Sequence, residues 1–500
     1  MGDFVASKSL FEGVEAKLKE LYDWHDFYFC EDPSEKQAML KGHIEEIDGM
    51  VEDIMVKDGS QKNMESNEAK STAAFLRGKA WNAMEQYQAS AEDYLSKAVK
   101  LNPTNAMAWL QLGLCFWKKG DKGQARSCMN ESITQKVTKE ALRELSMLTR
   151  QVRRKDEKPE DLSMESIKLA KKAIALDLED HMSWYVLGNA WCFRFFNISN
   201  NLADVKMALV AYKRALDLCG DVNPDLLHNQ GECMRYLQDY DSALAAHKRA
   251  IEIDPSYSAA KDSVREIEEM VTMTASVLET CAAYEAGKPS PAGNGTFIKR
   301  KRYDQVLSSL RTDVNKDNKK SKSSVVATST GKRVAALGKL TSGVNEDSLL
   351  VLKVLSCVTK GGGPECFVCA DAEGQLCFLS VYNAGPASAQ FDTDAIITVA
   401  APLALLPTET TSGTKVGSVS QSEDKENAAD QDQSFDLSDG LGNAGSKAAP
   451  STNTAPSRTF KSLGLPVVQV FDLKTLAFNG RAFSDSSYMR PNVTFETISR

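Results

Sequence analysis

Between Ala106 and Ile133 the small and apolar residues fall into two runs of helical spacing, separated by a polar turn. Leu112, Gly113 and Phe116 share one face of a first helix, and Ala125, Met129 and Ser132 share one face of a second. Lys119-Gly120-Asp121 supplies the turn, and the small residues at Gly113, Ala125 and Ser132 let the two backbones come close. A hairpin of this kind leaves an apolar face uncovered, so copies are expected on both sides. The same ladder returns upstream as Gly78, Trp81, Leu95, Ala98 and Pro103. Downstream it returns as Trp184, Leu187, Gly188 and Trp191, completed by Ala208, Tyr212 and Ala215 after an insertion of about eight residues. A further copy has Gly231, Ala243, His247, Ala250 and Pro255. The period, about 34 residues, predicts stacked helical hairpins that bury one continuous core.

The pattern ahead of the repeats is also helical. Phe11, Val14, Leu18 and Leu21 predict one helix, and Leu40, Ile44, Ile47, Val51 and Ile54 a second that starts at Asp32-Pro33. Residues 1–70 are expected to form a hairpin that caps the array, with repeats over 71–273. The middle of the array is irregular. Thr138 to Lys155 carries Leu142, Leu145, Leu148 and Val152 at helical spacing without the ladder, and a further helix, Met164 to Leu176, is expected to pair with it. That helix also bears Arg143, Arg150, Arg153, Arg154 and Lys155, read either as a solvated basic face or as a surface for an acidic group. The last helix is expected over Ser258 to Val271, followed by a linker over 274–331 with the basic cluster Lys299-Arg300-Lys301-Arg302.

Past Lys332 the period changes. Ser348 to Val358, Glu365 to Ala370 and Gln375 to Tyr382 predict consecutive antiparallel strands. Ile396 to Ala400 and Val467 to Phe471 suggest another strand pair, and Asn479-Gly480 a late turn. The expected fold class is therefore an α-helical solenoid of stacked hairpins, which resembles the tetratricopeptide repeat family, followed by a small all-β barrel of OB type over 332–484. A polar insertion over 408–462 reads as disordered, and 485–500 as a tail.

Composition narrows the chemistry. The 500 residues carry a formal net charge of -8, which disfavours a chain that coats nucleic acid. Eleven cysteines, an odd number, read as reduced thiols, and no apolar run is long enough to span a membrane. A cytoplasmic and nuclear setting is expected. Cys366 and Cys369 invite a zinc reading, but three residues apart on a strand they point to opposite faces. His25, His43, His181, His228 and His247 show no metal spacing, and no phosphate loop, nucleophile elbow or kinase signature appears. The expectation is a non-enzymatic protein without metal or cofactor.

The repeats resemble the tetratricopeptide repeat family, and their combination with a small barrel resembles one animal branch of it. The residues that carry the likeness include Leu95 to Leu101, Trp117 to Asp121, Leu145-Ser146-Met147, Ser183-Trp184-Tyr185, Leu187-Gly188-Asn189, Asn223 to Leu226 and Val381-Tyr382-Asn383. The resemblance implies an adaptor that binds the N-terminal Met-Arg-Glu segment of nascent tubulin at the ribosome and triggers decay of tubulin mRNA. It also implies a role as a nuclear transcriptional cofactor, and leaves a generic co-chaperone as the third alternative. Co-chaperone members place a lysine clamp in the groove; here Asp225 stands six residues before Gly231 at such a position, which favours a basic ligand side chain. Asn223-Pro224-Asp225 also reads as a helix start, so Asp225 is either an N-cap or a ligand contact. Tyr185 and Asn189 project into the groove and are candidates to read a peptide backbone. Carried over by the resemblance, Arg150 pairs with the ligand glutamate and Asp225 with its arginine. Lys97 and Lys100, at the end of a second helix, are candidates to touch ribosomal RNA.

Overall fold

A computed structural model describes residues 11–29, 33–57, 67–151, 158–199, 201–220, 222–288, 308, 333–358, 364–382, 395–406, 460–470, 476–478 and 481–482. The basic residues 153–155, the cluster at 299–302, the insertion from 408 to 459 and the tail lie outside them. Among the described residues 13 helices precede a sheet of 10 strands.

Helices α1 (Glu12–Phe27) and α2 (Pro33–Lys57) form the leading hairpin. Their buried residues Phe11, Val14, Leu18, Leu40, Ile44 and Ile47 share a core with Ala69, Ala73 and Leu76 of α3 (Asn67–Trp81), so the hairpin covers the first repeat. Pairing then runs along the array: α3 with α4 (Ala89–Leu101), α5 (Ala106–Lys119) with α6 (Lys122–Gln135), and α7 (Lys139–Gln151) with α8 (Pro159–Leu176). It continues with α9 (His181–Arg194) on α10 (Leu202–Cys219) and α11 (Pro224–Tyr236) on α12 (Tyr240–Ile253), and ends at α13 (Ser258–Glu285).

The ladder glycines explain the close crossings. A methyl group at Gly78, Gly113, Gly188 or Gly231 would collide with Leu95, Met129, Tyr212 or His247 of the paired helix, at 2.4–3.0 Å. The α5–α6 turn combines two end signals: Gly120, at φ 89°, closes α5, and Asp121 accepts from the Gln124 amide to open α6. The irregular middle forms the expected helix pair, Lys139–Gln151 with Pro159–Leu176. Buried Ser146 and Ser166 stand where α7 meets α8, each hydroxyl donating to the other residue's carbonyl at 2.8 and 2.9 Å. The insertion after Trp191 becomes a π-helical turn, Phe195–Ser199, whose Phe195 and Phe196 pack edge-on against Tyr236 at 4.8 and 5.3 Å.

Helix α13 does not stop near Val271. It runs on to Glu285, and Thr274, Val277 and Cys281, expected in a linker, are buried. The strands are β1 (Arg333–Ala335), β2 (Gly343–Val344), β3 (Ser348–Cys357), β4 (Glu365–Ala370), β5 (Leu376–Val381), β6 (Ile396–Ala400), β7 (Leu403–Leu405), β8 (Val467–Val470), β9 (Leu476–Phe478) and β10 (Arg481–Ala482). They curl into a half-barrel in the order β10-β9-β6-β3-β4-β5-β8-β7-β2, with β1 beside β3. The expected pairing of β6 with β8 does not form. Strand β6 pairs with β3 and β9, and β8 runs parallel to β5. The segments β6 and β7 are one stretch of chain broken at Ala401, which sits at φ 52°. Its two halves pair with β3 and β8.

Cys366 and Cys369 do face opposite ways: Cys369 lies in the barrel core with Cys377, whereas Cys366 faces the solenoid beside Tyr240. That outer face of the sheet docks on the α11–α12 turn. Tyr382 donates to the Tyr236 carbonyl at 2.9 Å, and the Phe460 amide donates to Asp241 at 2.8 Å. Gln469 donates to Gln238 at 2.7 Å, and Gln238 in turn donates to Ser380. Gln238 holds φ 66°, a left-handed position that glycine or asparagine usually fills, and these barrel contacts hold it there. Phe460, expected inside a disordered insertion, packs on Tyr240 and Phe378 at 4.9 Å.

Candidate functional site

Four elements converge on one polar groove. From α7 comes Arg150, from α9 Tyr185 and Asn189, from α11 Asp225 and Asn229, and Tyr257 leads into α13. The spacing is mechanical: Tyr185 and Asn189, like Asp225 and Asn229, are four apart and so lie one above the other on their helices.

Arg150 is only 6% exposed. Its Nε, Nη1 and Nη2 have no hydrogen-bond partner among the described residues. Burial lowers the guanidinium to about 10, and the groups that act on its charge are Tyr212, Tyr185 and Cys192. The basic face of α7 is thus not solvated where it is described, because Arg143 is itself half-buried and paired with Asp180, the N-cap of α9. On the same helix Glu144 has one buried oxygen, Oε2, without a partner, and burial raises its carboxyl to about 7 against the pull of Arg143 and Lys118.

Beside Arg150 the groove is closely bonded. Tyr212 donates to Asn189 Oδ1 at 2.7 Å, and Asn229 donates to the same oxygen at 3.1 Å and to the Tyr185 hydroxyl at 3.3 Å. Asn189 is therefore buried and saturated at its oxygen, while Tyr185 stays half-exposed toward the groove. Asp225 is 8% exposed. It is not the N-cap, because Asn223 accepts the Leu226 amide at 3.0 Å and opens α11. Asp225 instead takes a hydrogen bond from Tyr257, whose phenol is held above its ordinary range chiefly by burial and then by Asp225. Lys97 and Lys100 stand apart, exposed three residues from one another on α4.

Sequence reasoning named Arg150, Tyr185, Asn189 and Asp225 and missed Tyr212, Asn229 and Tyr257. Asn229 was legible as a second polar residue one turn after Asp225. Tyr212 carries no such signal, since a ladder position reads as core, and Tyr257 enters from the next helix.

A tetratricopeptide repeat model matches residues 106–136, the unit with the clearest ladder. Tetratricopeptide repeat protein 5 of Homo sapiens is 30% identical over 386 residues, 75% of this chain and 82% of the relative. The Mus musculus protein of that name is 30% identical over 387 residues, with the same shares covered. Among solved structures, YrrB, described as a TPR protein with an unusual peptide-binding site, is 16% identical at TM-score 0.30 and covers 42% of this chain and 97% of its own. Among the described residues no helix is long and apolar enough to cross a membrane. With this identity and coverage, the chain belongs to the tetratricopeptide repeat protein 5 family, an adaptor of repeat type that acts through protein–protein interaction.

Proposed function

We propose that the groove binds the N-terminal Met-Arg-Glu segment of nascent tubulin at the ribosome and that the bound adaptor promotes co-translational decay of tubulin mRNA. The observation that carries the reading is Arg150, a buried guanidinium whose nitrogens have no acceptor among the described residues. A buried charge without a partner is costly, and a ligand carboxylate would relieve it. Asp225 at the far side favours a cationic ligand side chain, and Tyr185 and Asn189 line the path between. The order of charges suits a peptide with plus before minus. Exposed Lys97 and Lys100 are available to ribosomal RNA phosphates. The strand order, with β3, β4, β5, β8 and the broken β6–β7 returning to β3, supports an OB-type barrel whose outer face serves docking to the solenoid. The protein would work in the cytoplasm and the nucleus, with mRNA-decay adaptors or transcription cofactors as further partners.

Calorimetric titration with a peptide beginning Met-Arg-Glu tests the reading. The wild-type chain should bind it and discriminate against Met-Glu-Arg by at least about thirtyfold, the size of one well-buried charge pair. Equal affinity for the two peptides would refute the assignment of charges to the groove.

A further inference from the structure

His228, Glu232 and His247 lie beside the groove, with the His228 ring edge-on to Tyr257 at 5.2 Å, and outside any spacing the sequence advertised. His228 and Glu232 are four apart on α11, and His247 comes from α12. One donor atom from each lies within 4.8 Å of the others. The two Nδ1 atoms stand 3.2 Å apart, close to the roughly 3.3 Å that separates two tetrahedral nitrogen ligands of zinc.

Comparison of the repeats sharpens the point. Under each ladder glycine sits a side chain from the paired helix: Leu95 under Gly78, Met129 under Gly113, Tyr212 under Gly188 and His247 under Gly231. Three of these are apolar or aromatic fillers, and the fourth is an imidazole that is fully buried. The surroundings suit a ligand rather than a filler. His247 Nε2 is buried without a hydrogen-bond partner among the described residues and lies 3.3 Å from Glu232 Oε1. Ser263 donates to the same Oε1 at 2.7 Å, and Arg235 stands 3.7 Å from it, which leaves Oε2 uncommitted to these partners.

We infer that His228, His247 and Glu232 form a binding site for one divalent cation of the zinc class, pinning α11 to α12 beneath the groove. The metal takes His228 Nδ1, His247 Nδ1 and a Glu232 oxygen, with water in the fourth position. The proton in the Nδ1–Nδ1 hydrogen bond moves to the Nε2 of whichever ring carries it, so both imidazoles stay neutral and no net proton is released.

The test is titration of the full-length, reduced chain with Co²⁺ and with Zn²⁺, in the absence of peptide, so its outcome is independent of the peptide reading. The expected result is one ion per chain, with cobalt ligand-field bands and no thiolate charge-transfer band. The last point excludes the cysteines as ligands. H228N should weaken binding at least about tenfold. H247Y, which places at position 247 the residue type that already fills the space under Gly188, should do the same. His228 is only half-buried, so H228N decides the matter if H247Y fails to fold. Absence of saturable binding would overturn the proposal, as would a thiolate band or unchanged affinity in H228N. In those cases the pair is an imidazole–imidazole hydrogen bond only.

Discussion

At one end of the groove Arg150 holds a charge among Tyr185, Tyr212 and Cys192 with no acceptor among the described residues. At the other end Asp225 is bonded to Tyr257, and the Asn229 amide next to it is shared between Asn189 and Tyr185. Both charges are similarly buried, yet only one is satisfied within the fold. The difference assigns them different parts in binding. A ligand anion at Arg150 fills a gap and should stabilise the fold as it binds. A ligand cation at Asp225 must share or displace the Tyr257 hydroxyl, so its gain is smaller in net terms but more selective. Selectivity at Asp225 and driving force at Arg150 are separable in principle.

Apart from Arg150 itself, the largest effect expected from breaking this comparison is at Asp225. Asp225→Ala should weaken a Met-Arg-Glu peptide by at least about thirtyfold, as truncation of one partner of a buried charge pair costs roughly 2–5 kcal/mol. Asn223, not Asp225, caps α11, so circular dichroism should show unchanged helicity. Asp225→Lys should in addition shift preference toward a ligand with glutamate in place of its arginine. A variant that loses helicity and keeps its affinity would return Asp225 to a structural role.

Next in size is the docking of barrel on solenoid. Tyr382→Phe leaves the buried Tyr236 carbonyl without its donor, and the midpoint of urea unfolding should fall by the equivalent of about 1–3 kcal/mol. Peptide affinity should not change, since the barrel meets the turn after α11 and not the groove face. Altered affinity in this variant would mean that docking sets the groove's shape.

An effect of similar size, but one that only pH reveals, concerns Glu144. Its folded carboxyl sits at about 7 against an ordinary value near 4.5. Between those values the folded state keeps a proton that the unfolded state has released, so this group's contribution to stability is full below about pH 4.5 and declines as pH rises toward about 7. Glu144→Gln should therefore gain on the wild type as pH rises across that window, by up to about 3 kcal/mol, and then run parallel to it. Thermal melts at about pH 5 and about pH 8 measure the difference. A constant offset between the two proteins would show that Glu144 is not buried as a neutral acid.

The helical ladder was legible because glycine and alanine mark close crossings wherever they recur. The α7–α8 pair escaped it because Ser146 and Ser166 make the same approach with hydroxyls. The central strands were legible from alternation and turn residues, with ends within a residue or two. The two- and three-residue strands β1, β2, β7, β9 and β10 were not, since so few residues carry no period. The end of the last helix was misplaced because the Gly-, Pro- and Ser-rich composition that starts at Gly287 was extended back over Thr274 to Glu285, one face of which is buried. In the groove, charge was readable and satisfaction was not. Nothing in the sequence says that Arg150 lacks an acceptor while Asp225 has one, because the partners come from helices up to thirty residues away or more. The His228–His247 juxtaposition is hidden for the same reason: nineteen positions separate the two rings.

The central claim is that Arg150 is held for a ligand at the expense of the fold, and Arg150→Met tests it with one protein and two readings. Methionine fills similar space without charge. Burial that lowers the guanidinium from its ordinary value to about 10 corresponds to a penalty on the order of 3 kcal/mol. The account predicts a melting temperature raised by several degrees together with loss of Met-Arg-Glu binding by at least about thirtyfold in calorimetry. A variant that melts lower than wild type and still binds the peptide would contradict it, and Arg150 would then be a structural residue.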